Sequence, residues 1–275
     1  MKSFCRFTVL VVSGLSLVLS AGTLPAEEPA AEPLAQAHAH NDYFHARPLL
    51  DALDHGFTSV EADIFLHDDR LLVAHYQWQL KHARTLQALY LDPLRERVKA
   101  GKGSVHADGK PFYLLIDIKD GAEPTYAALT KVLAQYPEMI SVVRDGKLEP
   151  KAVNVIISGS RPKQMMAAEK VRYAGIDGRW EDLDSDMPSH LMPLISDRWG
   201  KYFRWNGKGE ISDAERERLV TAVNKAHDRG RRIRFWATPD TVPVWRVLQT
   251  AGVDAINTDD LDGLESFLRG QVAND

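Results

Sequence analysis

A (β/α)8 barrel, built as one α/β domain, is the fold that three features of this chain predict. Short apolar runs alternate eight times with stretches of helical periodicity between residues 35 and 270. Most of these runs are apolar throughout, as parallel strands covered on both faces require. Their total span of about 240 residues suits a barrel, which typically takes about 250. An open doubly wound sheet would share the alternation, but no glycine-rich dinucleotide fingerprint supports it.

Taken in order, the expected strands cover residues 35–40, 58–64, 112–118, 152–158, 172–176, 193–196, 233–237 and 255–257. Helices are expected between them. Residues 48–55 place Leu49, Leu50 and Leu53 on one face, and residues 86–100 repeat Leu89, Leu91, Leu94 and Val98. Residues 126–135 carry Leu129, Val132 and Leu133. Ser212-Asp213-Ala214-Glu215 reads as a capping box opening a helix that ends near Gly230. Residues 242–251 and 261–268 complete the set. Residues 177–211, rich in Asp, Arg and Trp, are expected as long loops.

The barrel is expected to start after a leader. Lys2 and Arg6 precede an apolar stretch over residues 7–19, with small residues up to Ala21 and Ala26. That is the layout of a signal peptide over residues 1–26, too short for a confident membrane span. Residues 27–34 are a Pro/Ala/Glu linker without periodicity, expected to be disordered. A periplasmic or secreted protein follows from this reading, with a membrane anchor as the alternative. Cleavage would remove Cys5, the one cysteine of the chain, and with it any disulfide. The net charge of −4 becomes −6, with 32 basic against 38 acidic residues. An acidic balance without a long basic tract excludes nucleic acid as the expected partner. The short basic run Arg229–Arg234 reads as a solvated helix end.

In such a barrel, function sits at the C-terminal ends of the strands. His40-Asn41-Asp42 ends the first strand. Glu61 and Asp63 lie two apart on the second, so both point to one face. The third ends at Asp117 with Lys119 on the same face, the fourth at Ser158-Gly159-Ser160, and the fifth at Asp177 near Arg179. The seventh carries Arg234 and Trp236 on one face, and Asn257 with Asp259-Asp260 ends the eighth. Side-by-side burial of carboxylates is costly unless a cation or hydrogen-bond network neutralises them. Glu61, Asp63 and Asp117 therefore form a candidate metal site, whose all-oxygen donors suit Ca²⁺ or Mg²⁺. His40 and His75 flank it as a candidate acid/base pair. Lys119 and Arg234 are candidates to hold an anionic group. Each residue alone has a plainer reading: Lys119 a solvated charge, Trp236 core, Asp259-Asp260 a helix cap. His38 shares the side of His40 one layer deeper. The remaining histidines have no comparable context.

These residues resemble the superfamily of glycerophosphodiester phosphodiesterases and phosphatidylinositol-specific phospholipases C, and within it the altered inheritance of mitochondria protein 6 family. The similar stretches are His38-Ala-His-Asn-Asp-Tyr43, Gly56-Phe-Thr-Ser-Val-Glu-Ala-Asp63, Thr85-Leu-Gln-Ala-Leu-Tyr-Leu-Asp-Pro-Leu94, Leu115-Ile-Asp-Ile-Lys119, Phe235-Trp-Ala-Thr-Pro239 and Asn257-Thr-Asp-Asp-Leu261. The resemblance implies metal-dependent phosphodiester cleavage. His40 and His75 would be the acid/base pair, and Glu61, Asp63 and Asp117 the metal ligands. Asn41 and Lys119 would contact phosphate or metal, with Arg234 and Trp236 also facing the substrate. The chain departs from the pattern where Asn41-Asp42 replaces the Arg-Gly that usually follows the histidine. Arg234 or Arg179 would then supply the missing cation. Asp117 stands where glycerophosphodiesterases commonly carry Glu, and the small inserted subdomain is absent.

The expected substrate is a glycerophosphodiester or a phospholipid headgroup, and a sphingomyelinase D-like phospholipase shares the same arrangement. A lipid substrate would bring transient contact with a membrane surface, although no amphipathic helix announces it. No protein partner is implied. Two other classes remain: a catalytically inactive barrel that binds a ligand, and a glycoside hydrolase using Glu61 and Asp117. The second leaves both histidines unemployed.

Overall fold

Eight parallel strands close on themselves. The computed structural model describes Met1 and residues 31–271, so the expected signal peptide over residues 1–26 lies, apart from Met1, outside the described residues, as do residues 27–30 of the 27–34 linker, whose last residue, Leu34, already belongs to the first strand. Twelve strands are present in the described residues: β1 (Leu34–Ala39), β2 (Phe57–His67), β3 (Arg70–Val73), β4 (Phe112–Ile118), β5 (Val142–Arg144), β6 (Lys147–Glu149), β7 (Val153–Gly159), β8 (Val171–Arg172), β9 (Ala174–Gly178), β10 (Leu194–Arg198), β11 (Arg232–Trp236) and β12 (Ala255–Thr258). The ring runs β1-β12-β11-β10-β9-β7-β4-β2, and pairing of β1 with β2 closes it. All eight expected strands are in this ring. The small sheet β6-β5-β8 and the hairpin strand β3 are additions.

The helices are α1 (Leu50–Asp54), α2 (Asp92–Ala100), α3 (Ala122–Leu133), α4 (Lys163–Ala168), α5 (Trp199–Tyr202), α6 (Asp213–Asp228), α7 (Val242–Ala251) and α8 (Leu261–Leu268). Local chemistry sets their ends. Ser212 Oγ accepts from Glu215 N at 3.3 Å and opens α6. Gly252, at φ 83°, closes α7, and the Asp260 carboxylate caps α8 by accepting from Gly263 N. The helix expected over 86–100 is broken: residues Gln87–Leu91 form a π-helical turn before α2. Pro93 has no N–H for the carbonyl four residues back, so the ladder changes there. The helix expected from residue 126 begins a turn earlier, because Pro124 is tolerated in a first turn. α4 and α5 have six and four residues, too few for a periodicity to show.

Alternation along the strands separates two cores. Outward residues such as Val60, Ala62, Leu114, Ile116, Ile157 and Phe235 join the helices in one continuous apolar shell. Inside the ring the apolar filling is small: Leu115, Ile156 and Leu194, packed against Tyr113. The rest of the interior toward the C-terminal strand ends is polar, which leaves room for a site. The basic run Arg229–Arg234 is not a solvated helix end throughout. Arg231 is buried, and its guanidinium donates to the carbonyls of Asp182, Ser185 and Met187, tying down the loop after β9.

Phe235 is wedged between Trp199 and Phe203, at ring distances of 5.6 and 5.5 Å. Phe235→Ala should lower stability by about 3–5 kcal/mol, read from the midpoint of urea unfolding.

Candidate active site

The site grows from one register. Asp63 on β2 pairs with Asp117 on β4, which pairs with Ser158 on β7, so three polar side chains enter the barrel mouth at one level. Glu61 sits one layer deeper. Ligand oxygens of Glu61, Asp63 and Asp117 all lie within 4.8 Å of one another. Gly159, at φ 65°, passes so close that a Cβ there would meet Asp117 Oδ1, and this close packing confines the carboxylate.

Each acid is held differently. Arg234 Nη2 donates to Glu61 Oε2 at 2.6 Å, and Arg234 Nε donates to Asn257 Oδ1 at 2.9 Å. Burial is the largest influence and raises the Glu61 pKa, but the Arg234 guanidinium, the His38 hydrogen bond and the nearby histidines together outweigh it and hold the carboxyl below the usual carboxylate range. His38 lies 3.5 Å from the same oxygen, but burial and Arg234 push its pKa down to about 3, so it is neutral there. Asp63 is a hub: its Oδ2 receives Tyr43 Oη at 2.6 Å, His75 Nδ1 at 2.8 Å and Lys119 Nζ at 2.9 Å. Its other oxygen, Oδ1, is buried without a partner. Burial and the neighbouring Glu61 raise the Asp63 pKa. Burial also pushes Asp117 up to about 6; Lys119, 3.4 Å away, opposes this, and the two neighbouring acids add to it.

The two histidines stand at the rim, each with a carboxylate behind Nδ1. His75 Nδ1 meets Asp63, and His40 Nδ1 lies 2.8 Å from Asp259 Oδ1. This arrangement places the proton on Nδ1 and the lone pair on Nε2 in the neutral ring. Asn41 Nδ2 is 3.2 Å from His40 Nε2, and Asn41 Oδ1 lies 2.7 Å from Tyr43 Oη, where it competes with Asp63 for the one hydroxyl proton. His75 reaches Asp63 because β2 runs on to His67 and turns back through β3. Asp68 and Asp69 both have positive φ, as a two-residue hairpin of this twist needs, and Ala74 N then bonds Asp63 O at 3.1 Å.

The structure thus brings together Glu61, Asp63, Asp117, His40, His75, Asn41 and Lys119. It corrects the expected role of Arg234: this side chain is buried beneath Glu61, already paired, and does not reach the open mouth. Arg179 is the better placed cation. Asp177 Oδ2 accepts from Arg179 Nη1 at 2.6 Å and from Ser158 and Ser196 at 2.8 and 2.7 Å, and Asp117 lies within the electrostatic reach of the guanidinium. Trp236 is half-buried at the mouth, with the Arg198 guanidinium 5.9 Å from its ring centre. Asp260 caps α8 as the plain reading had it, whereas Asp259 is the partner of His40. Tyr43 was missed as a functional residue; its position two after Asn41 gives no sign that its hydroxyl joins Asn41, Asp63 and His75.

The AIM6-like phosphodiesterase domain matches residues 31–177. A relative from Eremothecium gossypii, altered inheritance of mitochondria protein 6, is 30% identical, over 85% of this chain and 69% of its own. The chain belongs to the AIM6-like phosphodiesterase domain family. A homologue from Arthroderma benhamiae is 26% identical over 84% of this chain and 82% of its own. The fold is that of a glycerophosphodiester phosphodiesterase from Parabacteroides distasonis, with TM-score 0.52 at 13% identity over 88% of this chain and 99% of that one. The barrel fold shared with that structure and the acidic triad Glu61, Asp63 and Asp117 thus occur together in this chain.

Removing the cation beneath the triad should be costly. Arg234→Ala leaves Glu61 buried and unpaired, and unfolding in urea should show a loss of about 3–5 kcal/mol at neutral pH. Glu61 has a depressed folded pKa, so the pair's contribution is present above the unfolded value of 4.5 and is lost as pH falls toward the folded one. The gap between wild type and variant should therefore be widest above that value and narrow in acid.

Proposed function

We propose that this protein is a divalent-metal-dependent phosphodiesterase acting on glycerophosphodiesters or phospholipid headgroups. One observation carries the reading. The unpartnered Asp63 Oδ1 lies buried among three converging carboxylates, between two histidines that each have a carboxylate at Nδ1. A buried oxygen without a donor is a cost that a bound cation removes. Glu61, Asp63 and Asp117 would hold Ca²⁺ or Mg²⁺, which all-oxygen donors favour over zinc. Such an ion would orient the phosphodiester and stabilise the charge that develops on its oxygens.

The chain's own groups supply the rest. One histidine takes the proton of the attacking hydroxyl at Nε2, and the other, protonated there, gives a proton to the leaving alcohol. His75 Nε2 has no partner among the described residues and is open for this exchange. Tyr43 and Lys119 work against the upward push of burial on the Asp63 pKa and hold the carboxylate beside His75. Lys119 follows Asp117 at the end of β4, Arg179 follows β9 two strands further round the ring, and the two would hold the phosphate. Export by the leader over residues 1–26, to the periplasm or beyond the cell, belongs to the same reading.

The test is turnover of bis(p-nitrophenyl) phosphate and glycerophosphocholine with Ca²⁺, Mg²⁺ or EDTA. Wild type should turn over with metal and stop with EDTA. His75→Ala should lose about 10²–10⁴-fold in kcat, and Glu61→Gln should lose metal dependence together with activity. Saturable metal binding without turnover of any diester would favour the inactive ligand-binding barrel, a reading that the missing arginine after His40 also suits.

A further inference from the structure

The rim beside His75 carries a feature that the proposed chemistry does not use. Among the described residues, the exposed aromatic side chains are Phe44, Tyr76 and Trp78, at 60%, 52% and 75% exposure, and all three lie on this rim. They form a chain with His75: Phe44 to His75 is 5.9 Å between ring centres, His75 to Tyr76 is 4.4 Å, and Tyr76 to Trp78 is 5.9 Å, the last pair stacked. Tyr43 joins the inner end at 4.8 Å from Phe44. A row of rings thus runs from the Asp63 hub out into solvent.

This lip is built rather than loose. Gln79 Oε1 accepts from the backbone N–H groups of His75 and Tyr76, at 2.9 and 2.8 Å, and residues Gln77–His82 form a 3₁₀ helix. Residues three apart eclipse in such a helix, so Trp78 and Lys81 share a face. Lys81 and Arg84 are both exposed and have no ion-pair partner among the described residues. No carboxylate occurs between Asp69 and Asp92, although the whole chain is net acidic. Among the described residues, the one local concentration of exposed rings therefore coincides with positive charge that no ion pair neutralises. Aromatic rings with one polar edge favour the headgroup level of a bilayer, and lysine and arginine there are drawn to anionic lipid.

We propose that this lip docks the protein on a phospholipid surface carrying anionic headgroups. Phe44, Tyr76 and Trp78 enter the headgroup region, and Lys81 and Arg84 face lipid phosphate. The barrel mouth then opens toward the bilayer, and the diester presented to His75 is that of a membrane lipid. This last step rests on the phosphodiesterase reading; the docking itself does not. No helix among the described residues is long and apolar enough to cross a membrane, so the contact is with the surface.

Sedimentation with vesicles tests it, using phosphatidylcholine alone and phosphatidylcholine with about 30 mol% phosphatidylglycerol. The purified protein should pellet with the anionic vesicles and less with the neutral ones. Lys81→Gln and Trp78→Ala should each bind the anionic vesicles about fivefold more weakly. Both should keep the wild-type melting temperature and wild-type turnover of a water-soluble diester, since both side chains project into solvent. Wild type that stays in the supernatant with both vesicles overturns the proposal, as does equal binding by wild type and Trp78→Ala. Either result leaves turnover of the soluble diester as a separate readout, so failure of docking and failure of the phosphodiesterase reading are distinguishable.

Discussion

Everything at the mouth of this barrel depends on how three buried carboxylates are neutralised. Glu61, Asp63 and Asp117 meet two cations of the chain directly, Arg234 and Lys119. His38 adds no charge, because burial keeps it neutral. The balance is one negative charge too many in a place of low dielectric, and the structure registers the excess. Asp63 and Asp117 both hold their protons more tightly than ordinary carboxylates, and Asp63 Oδ1 has no donor. A divalent ion would turn the balance to one positive charge, which a phosphodiester monoanion neutralises. The proposed chemistry thus answers a strain present in the protein alone.

The fold organises this charge in layers. Arg234 and Glu61 form the floor, fixed by Asn257 and His38, and Asp63 and Asp117 form the level above. The rim comes from elements outside the ring's strict alternation: the turn after β1 with His40, Asn41 and Tyr43, and the segment after β3 with His75. The β2–β3 hairpin is the joint between floor and rim. It carries His75 back over Asp63 and, three residues later, sets Trp78 outward. The same fold-back thus brings the candidate acid/base histidine and the exposed aromatic lip to one edge.

Much of this was legible in the sequence. The eight barrel strands follow from continuous apolar runs, because burial on both faces leaves little freedom in residue type. The triad follows from the two-residue spacing of Glu61 and Asp63 and from Asp117 at the next strand's end. What was hidden had a physical reason. β3 closes on β2 through Asp68-Asp69, which lacks the Asn-Gly or Asp-Gly signature of such turns. Arg234 has a charge suited to the substrate, and only the register reveals that it lies a layer below the mouth and beneath Glu61. Arg231 read as solvent-exposed because its three carbonyl partners come from a loop more than forty residues earlier in the chain. Tyr43 and Asp259 act through distant partners, and sequence spacing does not encode those meetings.

Titration calorimetry of Ca²⁺ and Mg²⁺ into the metal-free protein tests the central claim most directly. At about pH 8, Asp117 is ionised, since its pKa is near 6. The account predicts saturable binding of one ion per chain, lost in Asp117→Asn while the variant stays folded. Absence of saturable binding by either ion, or binding unchanged in Asp117→Asn, would contradict it.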